Sequence, residues 1–258
     1  VPTLKQLYEQ AKDGFDLVVI PPHTRWMEET GGELRYSEAA KQYALDVWAG
    51  AFKHERTGRF SPSSIGECQR RLLFQYIGAP QIAYSADDLD LMATGTALHL
   101  AWQMEGLSAG YLLEGEVWVH DPELKLGGSM DGLLIDDSIW EIKTQRSQLY
   151  AKNVAYNREP DWDHLMQVEC YFRLSGRNRA SIMYQDRDSG MPHEFRVGPN
   201  PRVEDAVDNV LEDVHKALRT NTLPPMLDDC EMRVGTTYKR CPYREHCPKK
   251  TYVDEGIV

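Results

Sequence analysis

The chain has 258 residues, 41% of them hydrophobic, and a formal net charge of −11. This length suits one large domain or two small ones. The acidity argues against a protein that is basic all over, while leaving room for a local positive face. No apolar run is long enough for a membrane-spanning helix. The opening VPTLKQLYEQ lacks the basic and apolar regions of a secretory signal, so a cytoplasmic setting is expected.

In chain order, residues 3–13 read as a helix with Leu4, Leu7, Tyr8 and Ala11 on one stripe. The stretch VVIPPHTRW reads as a short strand broken by its prolines, and residues 37–54 as a helix. A loop, TGRFSPSS, leads to a helix over about 63–77 that carries Cys68 and the basic run QRR. Residues 85–107 form another helix, opened by SADD as a capping box and carrying His99. The period then changes to two. LLEGEVWVHD alternates like a strand, and further strands are expected at 130–136 and 138–143 with a tight turn between them. A helix over 160–175, strands at ASIMYQD and HEFRV, and an amphipathic helix over 201–219 follow. This order predicts an α/β fold, a mixed sheet with helices packed on it.

One hairpin carries unexpected chemistry. In GGSMDGLLIDDSIWEIKTQ, residues 127–145, alternation puts Glu141 and Lys143 on one side of a strand and Trp140 and Ile142 on the other. The turn folds Asp131 back toward them. Two carboxylates so placed suit magnesium or manganese. A lysine beside them can orient a water or stabilise charge on a phosphate. Taken alone, the same residues also suit a solvated hairpin edge with a salt bridge.

The neighbouring motifs resemble the RecB-like branch of the PD-(D/E)XK nucleases. GTALH with Gly95 and His99 comes first, then EGEVWV, GGSMDG with Gly128 and Asp131, WEIK with Glu141 and Lys143, and QVECY with Gln167 and Tyr171. Met130 stands where the family name has proline. The resemblance covers residues 61–250 and implies a restriction-endonuclease-like core. It implies His99, Asp131, Glu141 and the carbonyl of Ile142 as ligands of Mg2+ or Mn2+, with Lys143 assisting a water. Gln167 and Tyr171, four apart on a helix, would contact DNA phosphate or shape the site, and His164 lies on their stripe. Glu116 would serve as a supporting or second-metal carboxylate. The implied activity is metal-assisted phosphodiester hydrolysis.

Five cysteines without a secretory signal argue against a disulfide framework. Cys68 early and Cys230, Cys241 and Cys247 late resemble the staple of the iron–sulfur members, the AddB-type and CRISPR-associated RecB-like nucleases, where four thiolates hold a [4Fe–4S] cluster. Cys241 and Cys247 keep the family spacing, but Tyr238 occupies the position of a further family cysteine, and Cys230 lies upstream. Zinc and free thiols are the competing readings. Cys170 is expected in the core. Arg70, Arg71, Arg240 and Arg244 surround these cysteines and would form a positive face for DNA.

The resulting expectation is a nuclease domain over 61–250, closed by its cluster, with a helical extension at 1–60 and a tail at 251–258. It would act as an exonuclease on single-stranded DNA ends in recombination, repair or phage DNA processing, in bacterial or phage-infected cytoplasm, with a recombination or CRISPR-type protein as partner. The alternative is a non-catalytic or partner-dependent module that binds DNA ends.

Overall fold

The computed structural model describes residues 17–54, 57–227, 230, 241–245 and 247. Five strands form one mixed sheet in chain order: β1 (Leu112–Asp121), β2 (Leu126–Leu134), β3 (Ile139–Gln145), β4 (Ala180–Asp186) and β5 (Pro192–Val197). All neighbours are antiparallel except β3 and β4. That parallel pair requires a long crossover. It is supplied by a short helix α5 (Ser147–Ala151), a π-helical turn (Lys152–Asn157) and helix α6 (Trp162–Ser175). The sheet is flanked by helices, so the expected α/β class is what the chain adopts.

Four further helices precede the sheet: α1 (Ile20–Thr30), α2 (Glu38–Ala49), α3 (Gln69–Tyr76) and α4 (Ala86–Ala109). Helix α7 (Pro201–Thr220) closes the described fold. One sheet face buries Met130, Ile139, Ile182 and Tyr184 against Val168, Tyr171 and Phe172 of α6. The other buries Leu134, Trp140, Ile142 and Met183 against Trp102 of α4 and Val19. A third layer packs α3 and α7 outside α6 through Leu72, Leu73, Cys170, Val207, Leu211 and Val214. Cys170 is fully buried there, as its apolar neighbours in the sequence suggested.

The structure corrects several boundaries. VVIPPHTRW is not a broken strand. It enters α1, because Pro21 and Pro22 fall in the first helical turn, where a missing N–H costs nothing. Val19 offers this helix no side-chain cap. A buried carboxylate from β5 serves instead: Glu194 accepts the N–H groups of Val18, Val19 and Ile20, each at 3.1 Å, and the Ser181 hydroxyl at 2.7 Å. This negative charge sits at the positive end of the helix. Helix α2 stops at Ala49 because Gly50 takes the left-handed cap conformation. The helix expected over 63–77 divides into a 3-10 turn (Pro62–Ser64) and α3, with Cys68 at the N-cap. Strand β2 starts four residues earlier than expected, its first half masked in the sequence by glycines. The crossover helices between 147 and 157 had no sequence signal. The helix expected over 3–13 lies outside the described residues.

Helix α4 fulfils the capping-box expectation: Ser85 accepts from the Asp88 N–H and Asp88 accepts from the Ser85 N–H. Only its second half reaches the sheet, burying Trp102, Gln103 and Gly106. His99 stands where the helix arrives. Among the described residues no helix is long and apolar enough to cross a membrane.

Candidate active site

The site forms where two strands part. β2 and β3 pair at only two positions, Gly132 with Trp140 and Leu133 with Ile139. β3 then continues beside β4 through Gln145. No β2 residue pairs with Ile142, and the Asp131 carboxylate enters the fork instead. Its Oδ2 accepts the Ile142 N–H at 2.6 Å. The Ile142 carbonyl points to the same side of the strand as that N–H. His99 reaches the other oxygen, with Nδ1 3.4 Å from Asp131 Oδ1.

Glu141 and Lys143 project toward α6, while Trp140 and Ile142 enter the opposite core, as alternation requires. Lys143 Nζ lies 2.7 Å from Glu141 Oε1. Gln167 bridges the pair. Its Nε2 donates to Glu141 Oε1 at 2.8 Å, and its Oε1 accepts from Lys143 Nζ at 2.8 Å. One oxygen of Glu141 thus takes two donors, while Oε2 is buried with no hydrogen-bond partner. Tyr171 is buried, and its hydroxyl donates to the Ser129 carbonyl at 2.6 Å. Gly128 permits this approach: a Cβ there would lie 2.8 Å from Pro62 Cδ and 3.3 Å from the Tyr171 hydroxyl. Gln167 and Tyr171 are therefore placed to shape the carboxylate site from behind.

Charge is distributed unevenly. Burial opposes ionisation of Asp131, but His99, Lys143 and the Ile142 N–H outweigh it and hold the carboxyl below its ordinary range. Burial dominates at Glu141, aided by Asp131 and opposed by Lys143, and pushes it up to about 7. At His99 burial works against the charged form, yet Asp131 prevails and the pKa is raised. Glu116 is raised by burial and by Asp131. Its backbone has φ 53°, and Gln103 ties it to the site by donating to Glu116 Oε1 at 3.2 Å and to the Asp131 carbonyl at 2.8 Å. Gln103 went unnoticed in the sequence, although it lies four residues after His99 and so on the same helix face.

His164 occupies the edge of the site. Its Nδ1 is 2.6 Å from the Tyr184 hydroxyl, which also accepts the Asp161 N–H at 3.0 Å. The ring and the hydroxyl share one hydrogen bond, whose donor is set by the imidazole tautomer. Burial, reinforced by Lys143, pushes His164 down to about 3.

The donor set of His99, Asp131, Glu141 and the Ile142 carbonyl fits a small divalent cation. Glu141 Oε2 is buried without a hydrogen-bond partner, so one carboxylate oxygen is open to a further donor or cation. Apart from that oxygen, these side chains satisfy one another: His99 pairs with Asp131, and Lys143 and Gln167 with Glu141 Oε1. No three His, Cys, Asp or Glu side chains among the described residues are preassembled as a metal cage.

Cys68, Cys241 and Cys247 come close enough to influence one another. Burial raises Cys241, with Arg71 opposing and Cys68 and Cys247 adding to the rise. Burial also raises Cys247, with Arg70 opposing and Cys68 adding. For Cys230 the structure gives a backbone bond, its N–H to the Leu227 carbonyl at 2.9 Å. Arg70 departs from the expected DNA contact. It is 3% exposed, with Nε donating to the Pro224 carbonyl at 2.6 Å and Nη1 3.8 Å from Cys247 Sγ. It ties α3 to the C-terminal segment instead of facing outward. Arg71 is half-buried and paired with Glu67 at 2.9 Å, and Arg244 lies against the Cys241 carbonyl at 3.4 Å. Arg240 lies outside the described residues.

No family profile matches the chain, and no curated protein does. Among solved structures, it is similar to an alkaline exonuclease (LHK-Exo) from Laribacter hongkongensis, at 16% identity over 68% of this chain and 95% of that one, with TM-score 0.48. A structure of LHK-Exo in complex with dAMP matches at 16% identity over 64% and 90%, with TM-score 0.47. A structure of SSO0001 matches at 17% identity over 91% and 98%, with TM-score 0.48.

The environment of His164 predicts a pH effect. The unfolded chain binds a proton at an ordinary 6.5, whereas the folded protein resists it until about 3. Its contribution to stability is therefore lost as pH falls through that window. Thermal unfolding from pH 7 to pH 5 should show a shallower loss for His164→Gln than for the native chain. Identical slopes would show that His164 titrates as if in solvent.

Proposed function

We propose that this chain is a divalent-metal-dependent DNA nuclease, acting as an exonuclease on single-stranded ends during recombination, repair or phage DNA processing. One observation carries the reading. A strand fork gathers Asp131, Glu141, Lys143 and His99, and leaves Glu141 Oε2 buried without a partner. A structural salt bridge gains nothing from such an orphan, which costs about 1–3 kcal/mol.

His99, Asp131, Glu141 and the Ile142 carbonyl would hold Mg2+ or Mn2+. Such an ion supplies a water of lowered pKa and neutralises charge gathering on a phosphate. The protein's own groups do the rest. Gln167 fixes the Lys143 ammonium beside Glu141, where it can orient a water or meet a phosphate oxygen. The Ile142 N–H holds the Asp131 carboxylate, while Gln103 holds the backbone carbonyl of the same residue. The Tyr171 hydroxyl braces the strand that carries it.

The proposal includes a [4Fe–4S] cluster held by Cys68, Cys230, Cys241 and Cys247. Its support is the family spacing of Cys241 and Cys247 and the contact that brings Arg70, two residues after Cys68, to 3.8 Å from Cys247 Sγ. The cluster would join the two ends of the nuclease domain. The alternative, a DNA-end-binding module without catalysis, draws on the His99–Asp131 and Lys143–Glu141 contacts, which satisfy the site internally.

End-labelled single- and double-stranded DNA, incubated with manganese, magnesium or EDTA, tests the reading. Shortening of the single strand with metal, its absence in EDTA and its absence with Glu141→Ala are the expected results. Folded protein that cleaves under no condition would favour the binding module. Cys241→Ala should lose iron and acid-labile sulfide together. Zinc in the native protein, in place of both, would overturn the cluster.

A further inference from the structure

A group of rings outside the carboxylate site shares the Asp131 side of the sheet. On β1, Trp118 is registered opposite Ser129 and His120 opposite Gly127. Ser129 and Asp131 are two apart on β2 and so share a face. Trp118 and His120 therefore stand on the sheet face of Asp131, roughly 7 Å and 13 Å along the strand from it. His54, from the loop after α2, stacks on Trp118 with ring centroids 4.0 Å apart and planes 25° apart. His120 is equally close to parallel, at 6.3 Å and 25°. The Arg59 guanidinium lies 4.8 Å from the centre of the same indole.

The group is built and anchored. Gly127 opens the space it occupies: a Cβ there would stand 2.9 Å from His120 Cβ and 3.3 Å from Trp118 Cζ2. Next to Arg59, Phe60 is fully buried. Its N–H donates to the Lys125 carbonyl at 2.6 Å, and its carbonyl accepts the Gly127 N–H at 3.0 Å. Arg59 is thereby fixed to the start of β2. Both histidines are exposed, while Trp118 is half-buried. Arg59 makes no ion pair among the described residues, so its charge remains available. Packing alone does not call for two exposed imidazoles, each near-parallel to Trp118, and a cation without an ion pair on the Asp131 face.

We propose that His54, Trp118, His120 and Arg59 form a stacking subsite for an unpaired nucleobase of the strand whose phosphate reaches the Asp131–Glu141 site. This rests on the nuclease reading and deepens it. Stacked π-faces with a guanidinium accept any base but require it to be unpaired. A duplex end keeps its bases inside the helix. The subsite thus gives a physical reason for a single-stranded substrate.

The test is fluorescence anisotropy in EDTA with three labelled probes: a single-stranded oligothymidylate, the same strand with one abasic position scanned along it, and a blunt duplex of equal length. His54→Ala and Trp118→Ala are compared with the native protein. His54 is exposed, so its variant keeps the test sound if Trp118→Ala folds poorly. The single strand should bind the variants roughly tenfold more weakly. Duplex binding should be unchanged, and one abasic position should weaken binding to the native protein but not to the variants. Native affinity in both variants, with cleavage intact, would overturn the subsite and leave the nuclease reading standing. Equal losses for single strand and duplex would also overturn it, showing backbone contact in place of stacking. Native protein that neither binds nor cleaves any probe would overturn both.

Discussion

The bond from the Ile142 N–H to the Asp131 carboxylate, 2.6 Å long, holds the centre of this structure together. Strands β2 and β3 cannot run side by side through the site, since a continuous ladder would occupy the Ile142 N–H and its neighbouring carbonyl with β2 backbone. The fork frees both. Asp131 then satisfies the N–H, and the carbonyl remains directed at the same spot. A parallel β4 on the far side keeps β3 extended where β2 departs. Helix α4 delivers His99 and Gln103 from one face of the sheet, and α6 delivers Gln167 and Tyr171 from the other. The surrounding layers bear on the site mainly by fixing those two helices.

Such a concentration of charge in a core has a cost. Two carboxylates, a lysine and a histidine gather among buried neighbours, and each pair offsets only part of its desolvation. Asp131 is fully compensated, with donors on both oxygens. Glu141 is not, and the pKa near 7 records it. Apolar replacements would give a quieter core; in the proposed nuclease, the open Glu141 oxygen is the one that would meet the cation. At the N-terminal edge Glu194 shows the contrast: a buried carboxylate with four donors, which serves only to start a helix.

Much of this was legible in the sequence. The spacing of Asp131, Glu141 and Lys143 follows from strand alternation and a tight turn. His99 and the Gln167–Tyr171 pair come from the resemblance to the RecB-like nucleases, and the spacing of four puts Gln167 and Tyr171 on one helix face. The capping box at Ser85 and the apolar stripe of α7 are local signals, and local signals survive folding. What escaped depended on distant partners. Pro21 and Pro22 suggest a break until Glu194, far away in the chain, supplies the cap for a helix. The basic run at Arg70 looks like a surface patch until the Pro224 carbonyl and Cys247 draw its first arginine inward. Gly127 and Gly128 weaken the strand pattern of β2, and their purpose appears only when Trp118, His120, Pro62 and Tyr171 press against them. The π-helical turn has no periodic signature, because Asn153 is held by Gln145 and Asp161 and not by an apolar stripe.

The measurement closest to the central claim is anomalous diffraction from a crystal soaked in manganese. The account predicts one strong peak in the fork, bonded to Asp131, Glu141 Oε2, His99 and the Ile142 carbonyl, with the His99–Asp131 contact opened to admit it. A crystal with ordered Asp131 and Glu141 but no manganese in the fork, or manganese bound only elsewhere, would contradict it.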